Sequence, residues 1–287
     1  MKISVRKIAL IFGVVLLMMY GLAHWWLHKQ YTQFTFPKVQ ANATYFFAEK
    51  LKENALDYEK LELTSTYGNV ETCLLPSRSE KNIWLIHLHS TDNLYYSDSN
   101  LWRYKVWNNL GINVITLNYI VEENNQRIAS SEKMYQSALV AYNYLVTKID
   151  VPNENILVYG EGLGSYPASK LAKEMNVAGV IIENGITSLN DFLQDLYPIL
   201  AIRLIIKEDF LVKNYIQEIS VPSLFIVSEK DEIYPARHTK ILYENANSSL
   251  KKLTSLKGKT NHFKNKDIKT YQKSLADFLK DLKLRII

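Results

Sequence analysis

A chain of 287 residues with 47% hydrophobic and 22% charged residues has the apolar mass for one folded α/β domain and a tail, with no stretch polar enough to stay disordered. Its net charge of +5 is spread over lysines along the whole length, so nucleic-acid binding finds no basic stripe. One cysteine, Cys73, excludes an internal disulfide framework and a multi-thiolate metal site.

At the N-terminus, Lys2, Arg6 and Lys7 precede an apolar run from Ile8 to Leu27, and about twenty such residues cross a bilayer. Gly21 and Ala23 fit the small-residue pattern of a cleaved signal peptide, whereas Trp25 and Trp26 fit an interfacial aromatic belt. The preferred reading is an uncleaved anchor over residues 1–29. The positive charges before the run keep the N-terminus cytoplasmic and send the rest across, to a periplasmic or lumenal side.

Residues 30–57 turn polar and aromatic and read as a linker with a short helix over Thr44 to Leu56; a domain over residues 58–287 follows. Lys60 to Ser65, a turn at Tyr67-Gly68-Asn69 and Glu71 to Leu75 predict an antiparallel hairpin. Ile83 to Leu88, Ile112 to Leu117, Asn155 to Tyr159, Ala178 to Ile182 and Ser223 to Val227 are short Val/Ile/Leu-rich runs, as in parallel strands buried on both faces. Asn100 to Asn109, Ser131 to Lys148, Ser165 to Met175, Pro235 to Ala246 and Asp267 to Leu284 have helical spacing. Strand and helix in alternation give a doubly wound, mostly parallel sheet, with its ligand site at the carboxyl ends of the strands.

After the strand ending at Tyr159, Gly160-Glu161-Gly162-Leu163-Gly164 leads straight into a helix. This G-x-G-x-G has the frame of a nucleophile elbow, G-x-S-x-G, with glycine in the serine position. The chain resembles the α/β-hydrolase superfamily, in particular its membrane-tethered esterase- and acyl-hydrolase-like branch, whose elbow often reads Gly-Glu-Ser-Leu-Gly.

The resemblance runs from about Lys60 to Leu282. Trp84 to Ser90, Trp-Leu-Ile-His-Leu-His-Ser, looks like the strand and loop that give an oxyanion-hole amide, which implies Ser90 and Thr91 for that loop and Leu163 for the second amide. Asn118-Tyr119 stands where the family has Asp-Tyr-Arg-Gly, and Ile120 to Glu123 has lost the arginine and glycines. Ser228 to Pro235 resembles the acid loop, implying Asp231 as the acid; Gly258 to Phe263 resembles the loop of the general base, implying His262. A cap is expected over residues 190–215, with Asp191 to Tyr215 irregular.

Acyl transfer through the enzyme needs a hydroxyl or thiol on the elbow, deprotonated by the histidine. Glycine has neither, and loss of the nucleophile costs about six orders of magnitude in a well-measured serine protease. Ser165 is expected to point along its helix, away from the elbow tip. Glu161 reads as an ordinary elbow residue. The sequence therefore points to a pseudoenzyme that binds an acyl or lipid-like molecule or a protein partner, with no cofactor. If its pocket is intact, Gly162→Ser alone should restore some labelling by a serine-hydrolase probe.

Two other readings stand beside it. Asp231 and His262, as acid and base, would support hydrolysis of an ester or thioester by activated water or by an unrecognised nucleophile. Gly160-x-Gly162, with Glu183 about twenty residues on, partly imitates a dinucleotide-binding fingerprint, although Ser165 replaces its third glycine. His87, His89, His238 and His262 have no metal-ligand spacing.

Overall fold

A computed structural model describes residues 4–35, 49–90, 97–119, 130–206, 210–259 and 265–283. Thr91, His262, the stretch from Ile120 to Glu123, and Thr44 to Ala48 of the expected linker helix lie outside these residues.

Strands β1 (Glu59–Ser65), β2 (Gly68–Leu75), β3 (Trp84–Leu88), β4 (Asn113–Leu117), β5 (Ile156–Glu161), β6 (Gly179–Glu183), β7 (Ser223–Ser228) and β8 (Lys251–Leu256) form one sheet in the order β1-β2-β4-β3-β5-β6-β7-β8. The β1–β2 hairpin is antiparallel and β2 runs antiparallel to β4, while every other pair is parallel. This is the mixed, mostly parallel sheet that the alternating pattern implies. Every residue of β3 to β7 is buried, which accounts for their unbroken apolar composition. The sequence reading missed β8: its Lys-Lys-Leu-Thr-Ser-Leu is mostly half-buried, as suits an edge strand paired on one side.

Alternate strand residues feed two cores. Ile86, Ile115, Val158, Val180, Ile182 and Phe225 pack on one face against α3 (Ser131–Thr147), α4 (Ser165–Glu174), α7 (Val212–Glu218) and α8 (Ala236–Asn245). Leu85, Leu157, Ile181 and Leu224 pack on the other against α2 (Asp98–Asn109) and α9 (Asn265–Asp281), through Trp107, Tyr271 and Phe278. Leu51 and Leu56 belong to this second core, so the chain already packs beneath the sheet before β1.

Between β6 and β7 lies the segment expected as a cap. Its supposedly irregular stretch contains much of α5 (Leu189–Leu196), all of α6 (Ile202–Ile205) and the start of α7. Ile202, Ile206 and Phe210 fix it to the first core. At the N-terminus, α1 (Val5–Thr35) has an apolar, exposed segment, Val5–Trp26, of mean hydropathy 2.0, which is long and apolar enough to cross a membrane.

Candidate functional site

β5 ends at Glu161, and the chain turns through Gly162–Gly164 into α4. A Cβ on Gly164 would lie 2.0 Å from the Leu88 carbonyl oxygen, so the close seat of this turn on β3 needs a residue without a side chain. Gly162 has φ +52°, the left-handed conformation that costs other residues about 1–2 kcal/mol. The local backbone is thus that of an elbow, which glycine adopts without strain.

The space above it is filled. A Cβ on Gly162 would come within 2.6 Å of Tyr234 Cζ and 2.8 Å of Ser90 Oγ. Tyr234 is only 5% exposed and stacks on Phe192 at 5.1 Å, and its phenol shares a hydrogen bond with the Ser90 hydroxyl. Gly162 therefore faces an aromatic ring, and a serine there would have to displace it. Gly162→Ser can therefore restore a reactive serine only if the Tyr234 ring moves aside.

Tyr234 is placed by the loop after β7. Asp231 Oδ1 accepts hydrogen bonds from the amides of Ile233 (2.8 Å) and Tyr234 (2.7 Å), which folds the loop over the elbow. Asp231 Oδ2 accepts from Asn184 Nδ2 at 3.1 Å. Asn184, at the end of β6 with φ +47°, also accepts from the Ser228 amide at 2.8 Å. One side chain thus ties the ends of β6 and β7 to the Asp231 carboxylate.

Ser90 and Leu163 are both buried, and the Tyr119 phenol donates to the His89 carbonyl at 2.9 Å, bracing the end of β3. Ser165 donates to the Gly162 carbonyl at 2.6 Å from a fully buried position, so its hydroxyl serves the turn. Cys73 is almost fully buried, and burial pushes its thiol up to about 12, which removes thiolate chemistry at neutral pH.

Behind the elbow is a buried charge cluster. Arg103, fully buried on α2, donates to Glu161 at 3.1 Å and to Glu183 at 2.6 and 3.1 Å. Burial opposes its charge, but the two carboxylates more than offset this and raise its pKa. Glu183 also accepts from the Tyr159 phenol, which in turn accepts from Tyr271 at 3.3 Å. Glu161 is therefore one of two carboxylates on a buried arginine and no ordinary elbow residue. Glu183, enclosed by Arg103 and Tyr159, has no path to a ribose, which overturns the dinucleotide reading.

His238 joins the cap to the domain: Nε2 meets Asp195 Oδ2 at 2.9 Å and Nδ1 meets the Thr187 hydroxyl at 2.8 Å. Burial lowers its pKa despite the Asp195 carboxylate. A separate cavity of about 650 Å³ beside β8 and α9 is lined by Lys230, Lys257, Lys259, Lys266, Ser255 and Thr270, and Lys259 pairs with Glu232. Among the described residues no group of His, Cys, Asp and Glu could hold a metal ion.

Gly162, Ser90 and the Asp231 loop thus meet at the carboxyl ends of β5, β3 and β7, through Tyr234. The sequence reading assigned Tyr234, Arg103 and Asn184 no role. Tyr234 was visible as an aromatic residue in the acid loop, but nothing in the spacing signals which residue its ring covers.

No protein-family profile matches the chain. The alpha/beta hydrolase domain-containing protein WAV2 of Arabidopsis thaliana is 27% identical over 152 residues, which cover 48% of this chain and 49% of that protein. An uncharacterized membrane protein of Saccharomyces cerevisiae is 26% identical over 204 residues, covering 69% and 71%. This chain spans about half the length of the Arabidopsis relative that it matches. Among solved structures, the Pyrococcus furiosus esterase Pf2001 superposes with a TM-score of 0.66 at 15% identity, covering 86% of this chain and 98% of that one. The fold is the α/β-hydrolase fold, with glycine at the elbow.

Proposed function

We propose that this is a membrane-anchored member of the esterase- and acyl-hydrolase-like branch that has lost serine-hydrolase catalysis. It acts by binding an acyl or lipid-like molecule or a protein partner. The carrying observation is the Tyr234 ring over Gly162: the residue without a nucleophile is also the residue whose side-chain space is taken. Anchoring over residues 1–29, with a linker over 30–57 and the folded domain beyond, is supported by the exposed apolar segment Val5–Trp26 and by the yeast relative's description as a membrane protein. Lys2, Arg6 and Lys7 support a cytoplasmic N-terminus.

A second reading rests on the order around Asp231. Hydrogen bonds from the Ile233 and Tyr234 amides and from Asn184 fix its carboxylate, which suits an acid that orients a histidine. With His262 as base, a water could attack an ester or thioester without an enzyme nucleophile. Fluorophosphonate labelling and short-chain acyl ester turnover separate the two. The binding reading expects no labelling and no turnover above buffer; turnover abolished by His262→Ala would establish the second in its place.

A further inference from the structure

The cap presents an apolar surface outward beside α1. Leu196, Ile199 and Leu204 are 45%, 84% and 79% exposed, whereas Ile202 and Ile206 from the same segment are buried in the core. Three large aliphatic side chains exposed within nine residues of chain are candidates for an interaction surface. Several polar groups of this segment are paired internally: Gln194 Nε2 donates to the Tyr197 and Pro198 carbonyls at 3.3 and 3.1 Å, and the Leu204 amide donates to the Ala201 carbonyl at 2.9 Å.

The neighbour of this surface identifies its occupant. Helix α1 packs on α6, and the Ala201 amide donates to the Tyr20 hydroxyl at 3.2 Å. Tyr20 belongs to the apolar segment Val5–Trp26 and precedes Trp26 by six residues, about 9 Å along a helix axis. With Trp25 and Trp26 at the headgroup level, Ala201 is carried below that level. The depth matches the roughly 5–10 Å at which apolar faces of interfacial elements lie in a leaflet.

We propose that the cap surface formed by Leu196, Ile199 and Leu204 docks into the domain-side leaflet of the bilayer that α1 spans, with Ile199 and Leu204 among the acyl chains. This rests on the anchoring reading above. The domain is then held at two points, α1 and the cap, which fixes its orientation on the membrane and turns the cap toward lipid.

The test uses the full chain in phosphatidylcholine vesicles, with an environment-sensitive fluorophore on one introduced cysteine at a time; the buried Cys73 stays in place. Ile199→Cys and Leu204→Cys report the cap, Leu17→Cys the span and the exposed Lys148→Cys the aqueous reference. Doxyl lipids with the nitroxide near the glycerol should quench labels at 199 and 204 several-fold more than the label at 148, with blue-shifted emission. Quenching at 17 by deep nitroxides, with 199 and 204 behaving like 148, would overturn the cap proposal and leave the anchor standing. An unquenched label at 17 would overturn the anchoring reading and the cap proposal with it.

Discussion

Tyr234 lies over Gly162 so closely that a β-carbon on residue 162 would come within 2.6 Å of the tyrosine Cζ. The two positions are coupled: the missing side chain makes room for the ring, and the ring excludes a side chain. Phe192 on the cap and Ser90 after β3 hold Tyr234 in place, so the plug is built from three parts of the fold.

Gly162→Ser should therefore destabilise the protein without restoring a nucleophile. Left-handed strain and overpacking together amount to about 2–5 kcal/mol. The expected outcome is a lower thermal midpoint in detergent and no fluorophosphonate labelling. Labelling of the single variant at unchanged stability would show that the ring yields freely.

Adding Tyr234→Ala to Gly162→Ser should relieve the overpacking. The double variant is expected to be more stable than the sum of the two single effects predicts, by about 1–3 kcal/mol of coupling. Denaturation of all four forms gives the cycle, and strict additivity would mean that the ring and residue 162 do not contend for space.

Arg103→Met leaves Glu161 and Glu183 buried without their cation, and loss of one partner from such a site costs about 3–5 kcal/mol. Combining it with Glu161→Gln and Glu183→Gln should recover most of that stability, read as the chemical denaturation midpoint. A loss no smaller in the triple variant would locate the effect of Arg103 in packing.

Stability should fall as the pH drops below about 6.5, through His87 and His238. Burial holds both below the ordinary histidine pKa of 6.5, so the unfolded chain takes up protons there that the native state excludes. The contribution is fully present above the unfolded pKa and declines by about 1.4 kcal/mol per pH unit per histidine until the folded pKa is reached. His87, fully buried against Trp107 and Tyr159, should dominate at the acid end. Urea midpoints at pH 7.5 and 5.5 (about one unit either side of the ordinary histidine pKa) measure it; an unchanged difference in His87→Asn would remove His87 from the account.

Asn184→Ala should loosen the Asp231 loop. It leaves the Ser228 amide without this acceptor and puts a β-carbon without hydrogen bonds at φ +47°. Faster amide hydrogen exchange over residues 228–235, with the rest of β6 and β7 unchanged, is the expected signature. Uniform acceleration across the sheet would indicate global destabilisation instead.

Much of the fold was legible in the sequence because it rests on periodicity. Buried parallel strands must be apolar throughout, and the helices that cover them must carry an apolar stripe, so β3 to β7 and the helices α2, α3, α4, α8 and α9 announce themselves, whereas the short α5 to α7 do not. β8 did not, since an edge strand with lysines has no such pattern. The elbow was readable for a related reason: a strand-to-helix turn this tight needs small residues at fixed spacing, and Gly160, Gly162 and Gly164 show them.

Amino-acid order by itself determined that residue 162 offers no nucleophile and that an apolar segment precedes the domain. Only the tertiary structure decided what stands in the vacated place. Tyr234 is 72 positions from Gly162 in the chain and reaches it because β5 and β7 flank β6 in one sheet and end at the same edge. The same holds for Arg103 with its two glutamates and for Asn184 with Asp231: each depends on strands placed side by side, a relationship that exists only once the sheet has formed.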